Sequence, residues 1–107
     1  MTPDKAEPEG TQLAEGMQVT DNVAASRYEL EVDGDLVGIA SYRLVDGAAV
    51  IHHTEISPRR QGNGLGAVLV GAALDDLRTR GLGVVPRCWY VGQFIDENPA
   101  YADMVAN

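Results

Sequence analysis

From Arg27 onward apolar and polar residues take turns: Tyr28, Leu30 and Val32 alternate with Arg27, Glu29 and Glu31. A period of two marks a strand with one buried face. Asp33-Gly34-Asp35 supplies a hairpin turn, residues 36–44 a second strand, Asp46-Gly47 another turn and residues 48–56 a third strand. Three strands joined by tight turns predict an antiparallel meander. Ser57-Pro58 stops the sheet, and the period then changes. Leu65, Leu69, Ala72, Ala73 and Leu77 recur every three or four residues, which predicts a helix over 65–80. Arg78 and Arg80 suit its last turn and Gly81 the position after it.

Residues 82–85 and 88–90 read as a fourth strand, with Pro86 marking an edge or a bulge. Strand, helix and strand then form a crossover, which should be right-handed and leave its two strands parallel. Residues 91–107 read as one or two short helices, the last opening at Asn98-Pro99. The fold class is α/β (α+β): a compact mixed sheet of three antiparallel strands, then a strand–helix–strand crossover, then short C-terminal helices. Residues 1–21 mix Pro, Gly, Glu and Thr without a period and read as a disordered acidic tail. Residues 22–107 read as one domain.

Composition narrows the function. The 107 residues allow one domain with a modest core, and an apolar content of 45% is ordinary for a globular chain. No apolar run reaches the roughly 18 residues needed to span a bilayer. The polar N-terminus has no signal-peptide core, so a cytoplasmic protein without a membrane partner is expected. One cysteine excludes an internal disulfide and a cysteine-based zinc cluster, and no metal site is expected. The net charge of −8 divides evenly: residues 1–26 carry five acids and one base, residues 27–107 eleven acids and seven bases. Without a basic footprint, nucleic acid is not an expected partner. A small anion can still bind where local backbone dipoles outweigh a diffuse, screened charge.

Such a place is the run Arg59-Arg60-Gln61-Gly62-Asn63-Gly64-Leu65-Gly66, between the third strand and the helix. Bare backbone N–H groups at a helix start, with two arginines beside them, make a phosphate cradle. The Walker pattern GxxxxGK[ST] is absent, because no lysine follows the glycines. The dinucleotide fingerprint GxGxxG is met only loosely by Gly62, Gly64 and Ala67, and it belongs in a doubly wound sheet. A third pattern, [Q/R]-x-x-G-x-[G/A], fits as Gln61 to Gly66. With this loop, and with antiparallel strands before it and a helix and parallel strand after it, the chain resembles the GCN5-related N-acetyltransferase (GNAT) superfamily. His53-Thr54-Glu55, Val84-Val85-Pro86-x-Cys88 and the stretch from Phe94-Ile95 to Asn98-Pro99-x-Tyr101 resemble its compact YjdJ-type branch. The likeness runs from about residue 23 to 101. Trp89 stands where relatives often have Pro and Asn98 where they often have His.

The resemblance implies acetyl transfer from acetyl-CoA, the cosubstrate, to an amine acceptor, with Arg59, Arg60, Gln61, Gly62, Asn63, Gly64, Leu65 and Gly66 holding the CoA phosphates. It also implies a missing part, because full-length members carry further helices and strands around the acceptor. The acceptor side is then open, completed by a partner or second copy, or suited to a large substrate. Strand alternation puts Ile51, His53 and Glu55 on one face and His52, Thr54 and Ile56 on the other. His53 and Glu55 are candidates for proton acceptor and orienting group, or else a structural polar pair. Cys88 is a candidate acyl acceptor or thiol acid, or else a small buried hydrophobe. Tyr90, Phe94 and Tyr101 read chiefly as packing, with a tyrosine hydroxyl as a further candidate acid. The leading reading is an acetyl-CoA-dependent N-acyltransferase. The alternative is a CoA- or acyl-CoA-binding module without turnover.

Overall fold

The computed structural model describes residues 10–12 and 16–106. Six strands lie in sequence order across one sheet: β1 (Gly10–Gln12), β2 (Met17–Asn22), β3 (Arg27–Val32), β4 (Asp35–Val45), β5 (Ala48–Ile56) and β6 (Gly83–Pro86). The first five pair antiparallel and β6 pairs parallel with β5. Asp33-Gly34 and Asp46-Gly47 are two-residue hairpin turns, as their sequence requires. Helix α1 (Leu65–Thr79) crosses one face of the sheet and joins β5 to β6. Its stripe of Leu65, Leu69, Val70, Ala73, Leu74 and Leu77 is buried against Tyr28, Leu30, Ala40, Tyr42, Ala49 and Ile51. Helix α2 (Trp89–Glu97) follows β6, and a 3-10 turn, Pro99–Met104, closes the chain against α1. No helix among the described residues is long and apolar enough to cross a membrane.

Three expectations need correction. The sheet starts before residue 22: Met17–Asn22 pairs with all of β3, and Gly10–Gln12 pairs with it in turn. The inward face of β2 is Met17, Val19 and Asp21, so its apolar alternation ends on a carboxylate and hides the strand. Asp21, only 4% exposed, accepts a 2.6 Å bond from the Tyr42 hydroxyl and lies 2.9 Å from the Arg80 guanidinium. Arg80 also meets Asp76, which accepts from Tyr28. This network ties β2 to the C-terminal end of α1. The rest of the expected tail, residues 1–9 and 13–15, lies outside the described residues.

Second, residues 88–90 are not strand. The sheet ends at Pro86, and Cys88 is the N-cap of α2. The apolar run Cys88–Val91 looks like a strand, but Val91, Phe94 and Ile95 bury one helical face. Third, Ile51 and His53 do not share a face. Tyr42 pairs with Ile51 and Ser41 with His53, so β5 holds one extra residue, His52, at a bulge. Beyond it, Thr54 and Ile56 turn toward α1 while His53 and Glu55 stay together on the opposite face.

Candidate active site

The pairing of β5 with β6 runs from Ala48↔Gly83 to Ile51↔Pro86 and stops there. The bulge bends β5 at that point, while the chain beyond β6 turns into α2, held by Arg87 and Cys88 amides that both donate to the Ile51 carbonyl at 3.0 Å. The two strands part and leave a cleft of about 400 Å³. One wall is Thr54 and Ile56 of β5; the facing wall is Cys88, Trp89 and Tyr90; the floor is Arg60, Gln61, Gly62, Gly64, Leu65 and Gly66.

The floor is built for an anion. Gly64 is the N-cap of α1 at φ +75°, a left-handed conformation that costs an L-residue about 1 kcal/mol or more. No side chain caps the helix, and its first internal bond is Val68 to Gly64. The preceding amides therefore have no partner within the helix and sit at the positive end of its dipole. A Cβ built on Gly62 or Gly64 would meet nothing within 4 Å, so their backbone is bare toward the cleft. That donor set fits a pyrophosphate.

The other loop residues divide. Gln61 donates to the Ile56 carbonyl at 3.1 Å and Asn63 to the Arg60 carbonyl at 3.2 Å, so both side chains brace the loop. Arg60 reaches the cleft and also lies 3.9 Å from Asp35. Arg59 lines a separate depression with Asp35, Leu36, Val37 and Ser57. Gly66 has a different reason to be glycine. A Cβ there would stand 2.8 Å from the Tyr90 hydroxyl and 3.0 Å from Cζ. Tyr90 is seated against the first turn of α1, and the third glycine makes the seat.

Burial alone would raise the Cys88 thiol. Hydrogen bonding by the Thr54 hydroxyl and by the backbone of Tyr90, Val91 and Thr54 outweighs it and holds the thiol below its ordinary range. The Thr54 hydroxyl is buried beside the thiol and makes no hydrogen bond of ordinary geometry to any group among the described residues. Burial, with a smaller contribution from the Glu97 charge, pushes the Tyr90 phenol up, so it keeps its proton at neutral pH. His53 Nε2 lies 3.1 Å from Glu55 Oε1, and both side chains are more than half exposed. They occupy the open face of the sheet and do not line the cleft. Cys88 and the glycine loop are therefore brought together, while the His53–Glu55 pair stands behind β5. His52 is exposed at the bulge, and Phe94 and Tyr101 pack on each other at 5.6 Å in the core. Thr54 and Ile56 were hidden from sequence reasoning by the bulge. Its trace is the break from four apolar residues, 48–51, to two adjacent histidines.

This arrangement has counterparts. Residues 27–104 match the family model described as GCN5-related N-acetyl-transferase. Protein NATD1 of Bos taurus is 37% identical over 57 residues, 53% of this chain and 47% of that protein; the Gallus gallus protein is 35% identical over the same length. The chain spans about half the length of these relatives. Among solved structures, the ribosomal-protein-S18-alanine N-acetyltransferase from Escherichia coli aligns with TM-score 0.51 and 25% identity, over 54% of this chain and 38% of that one. N-acetylglutamate synthase from Neisseria gonorrhoeae, complexed with coenzyme A and N-acetyl-glutamate, shares the fold with TM-score 0.52 and 24% identity, over 68% and 18%. The family match opens at β3 and closes in the last 3-10 turn, so it takes in every element that builds the cleft: the chain belongs to the GCN5-related N-acetyltransferases.

Proposed function

We propose that the chain is an acetyl-CoA-dependent N-acyltransferase that moves an acetyl group to an amine. The observation that carries this reading is one cleft with a bare, uncapped helix start on its floor and an acidified thiol and a protonated phenol on its wall. Acetyl-CoA is the cosubstrate of this family, and when bound it supplies a thioester carbonyl and a thiolate leaving group.

The amides opening α1 and the bare backbone of Gly62 and Gly64 hold the pyrophosphate, with Arg60 beside them and Arg59 offering charge from the adjacent depression. Gln61 and Asn63 keep that backbone in shape. Tyr90 holds a proton that a departing thiolate can accept. His53 and Glu55 face the open side of the sheet and do not line the cleft, so they are not assigned the proton transfer. Cys88 offers a second nucleophile. Its thiolate can take the acetyl group from the thioester, releasing CoA thiolate, and pass it to the amine.

Titration calorimetry with CoA and acetyl-CoA, followed by CoA release over a panel of amines, tests the proposal. Binding with amine-dependent release is expected. Absence of binding at millimolar ligand refutes it, and binding without release from any amine favours a module without turnover. Intact mass after incubation with acetyl-CoA alone decides the path: a species heavier by about 42 Da, lost in Cys88→Ser, assigns the acetyl-cysteine route.

A further inference from the structure

Trp89 is 75% exposed, the most exposed large hydrophobic side chain among the described residues, yet it lines the cleft beside Cys88. Tyr90 holds it edge-on, with ring centroids 5.8 Å apart and planes at 82°. An indole face left in water at the mouth of a ligand cleft is covered by whatever fills that cleft. The neighbouring wall decides what that is. Ile56 and Leu65 are apolar, no carboxylate lines the cleft, and its one charge is Arg60. A cationic amine would gain cation–π attraction from the ring but would find no carboxylate there and would face an arginine, which opposes it. A neutral hydrocarbon chain would gain by covering the ring. The cleft also has no end wall of sheet, because β5 and β6 separate beyond Ile51 and Pro86.

We propose that this protein binds acyl-CoAs with linear chains longer than acetyl, the added methylenes lying across Trp89. The inference rests on the proposed function, since it takes the CoA phosphates to occupy the glycine loop and the acyl end to lie toward Cys88. Each methylene removed from water should tighten binding about fourfold until the chain clears the ring.

Trp89 is the only tryptophan in the chain, so its emission reports on this contact alone. The full chain is titrated with CoA, acetyl-CoA, butyryl-CoA and hexanoyl-CoA, following both emission and heat. The expected result is butyryl-CoA binding roughly fifteenfold tighter than acetyl-CoA, with a blue shift for the four- and six-carbon chains that CoA itself does not produce. In Trp89→Ala the ratio of hexanoyl to acetyl affinity should fall toward one. Equal affinity and equal emission for all four ligands would overturn this inference and leave the proposed function standing. A shift produced by an amine without acyl-CoA would also overturn it, giving the ring to the acceptor. Failure of every CoA species to bind would overturn both.

Discussion

Replacing Gly66 by alanine separates what a helix wants from what the site wants. In the first turn of α1 the change should favour folding by up to about 1 kcal/mol, since alanine loses less backbone entropy than glycine. Against this, the new methyl group lands 2.8 Å from Tyr90 Oη and 3.2 Å from Cε2. Restoring ordinary contact needs a displacement of about 0.6 Å, taken up by the ring because the helix backbone is fixed by its hydrogen bonds. A half-buried tyrosine can make that move cheaply, so the unfolding midpoint should change by only a few degrees. The hydroxyl, however, leaves its position over the cleft. If a shift of 1 Å costs about a hundredfold in rate, this one costs roughly tenfold. The assay is CoA release with an amine found in the panel, run on Gly66→Ala, Tyr90→Phe and the double variant. Tyr90→Phe should lose about a hundredfold. It also removes the atom nearest the new methyl, so Gly66→Ala should cost less than about twofold in that background. An equal loss in both backgrounds would refute the reasoning and assign the third glycine to the ligand itself.

Gly64→Val should weaken CoA binding at least tenfold by calorimetry, because its side chain would enter the cleft and its φ of +75° opposes a β-branched residue. Thr54→Val should raise the Cys88 thiol toward its ordinary range, slowing alkylation by iodoacetamide at pH 7 several-fold; an unchanged rate would remove Thr54 as its support. Tyr42→Phe should cost about 1–3 kcal/mol in urea unfolding, because it strips a donor from the buried Asp21 carboxylate. Burial opposes Glu29 ionisation, but bonds from Asn22 and Arg27 outweigh it and hold the carboxyl below its usual 4.5. A folded-state value below the unfolded one means stability is present above about pH 4.5 and lost as pH falls through the folded value. Partial solvent exposure keeps this under about 1 kcal/mol, and Glu29→Gln should show a correspondingly smaller loss of urea midpoint between pH 7 and pH 4.

Strands β3 to β5 and helix α1 were legible because each buries one face and its period survives in the sequence. Strand β2 was not, because its inward face ends in Asp21, whose partners Tyr42 and Arg80 lie 21 and 59 positions further along the chain. No local pattern reports a carboxylate satisfied by tertiary contacts. The start of α2 reads as strand in the sequence because Trp89, Tyr90 and Val91 all favour strands, and only the 91-94-95 spacing speaks for a helix. At the site, the glycine loop announced an anion cradle, since its requirements are backbone ones. The function of Gly66 was illegible, because the tyrosine it accommodates comes 24 residues later. The grouping of Thr54 with Cys88 was illegible too, because the bulge reverses strand parity without altering composition.

That bulge separates geometry from chemistry in a way that invites surgery. Remove His52 and the count of residues between Ile51 and Thr54 becomes even-handed with β4: Ile51, Thr54 and Ile56 still face α1, and His53 and Glu55 still face away. Every functional group keeps its side, and only the excess length is gone. A strand one residue shorter can follow β6 further, so the opening narrows while its lining stays the same. The superfluous residue thus behaves as a doorstop, and a one-codon deletion asks what the aperture contributes with the furniture left in place.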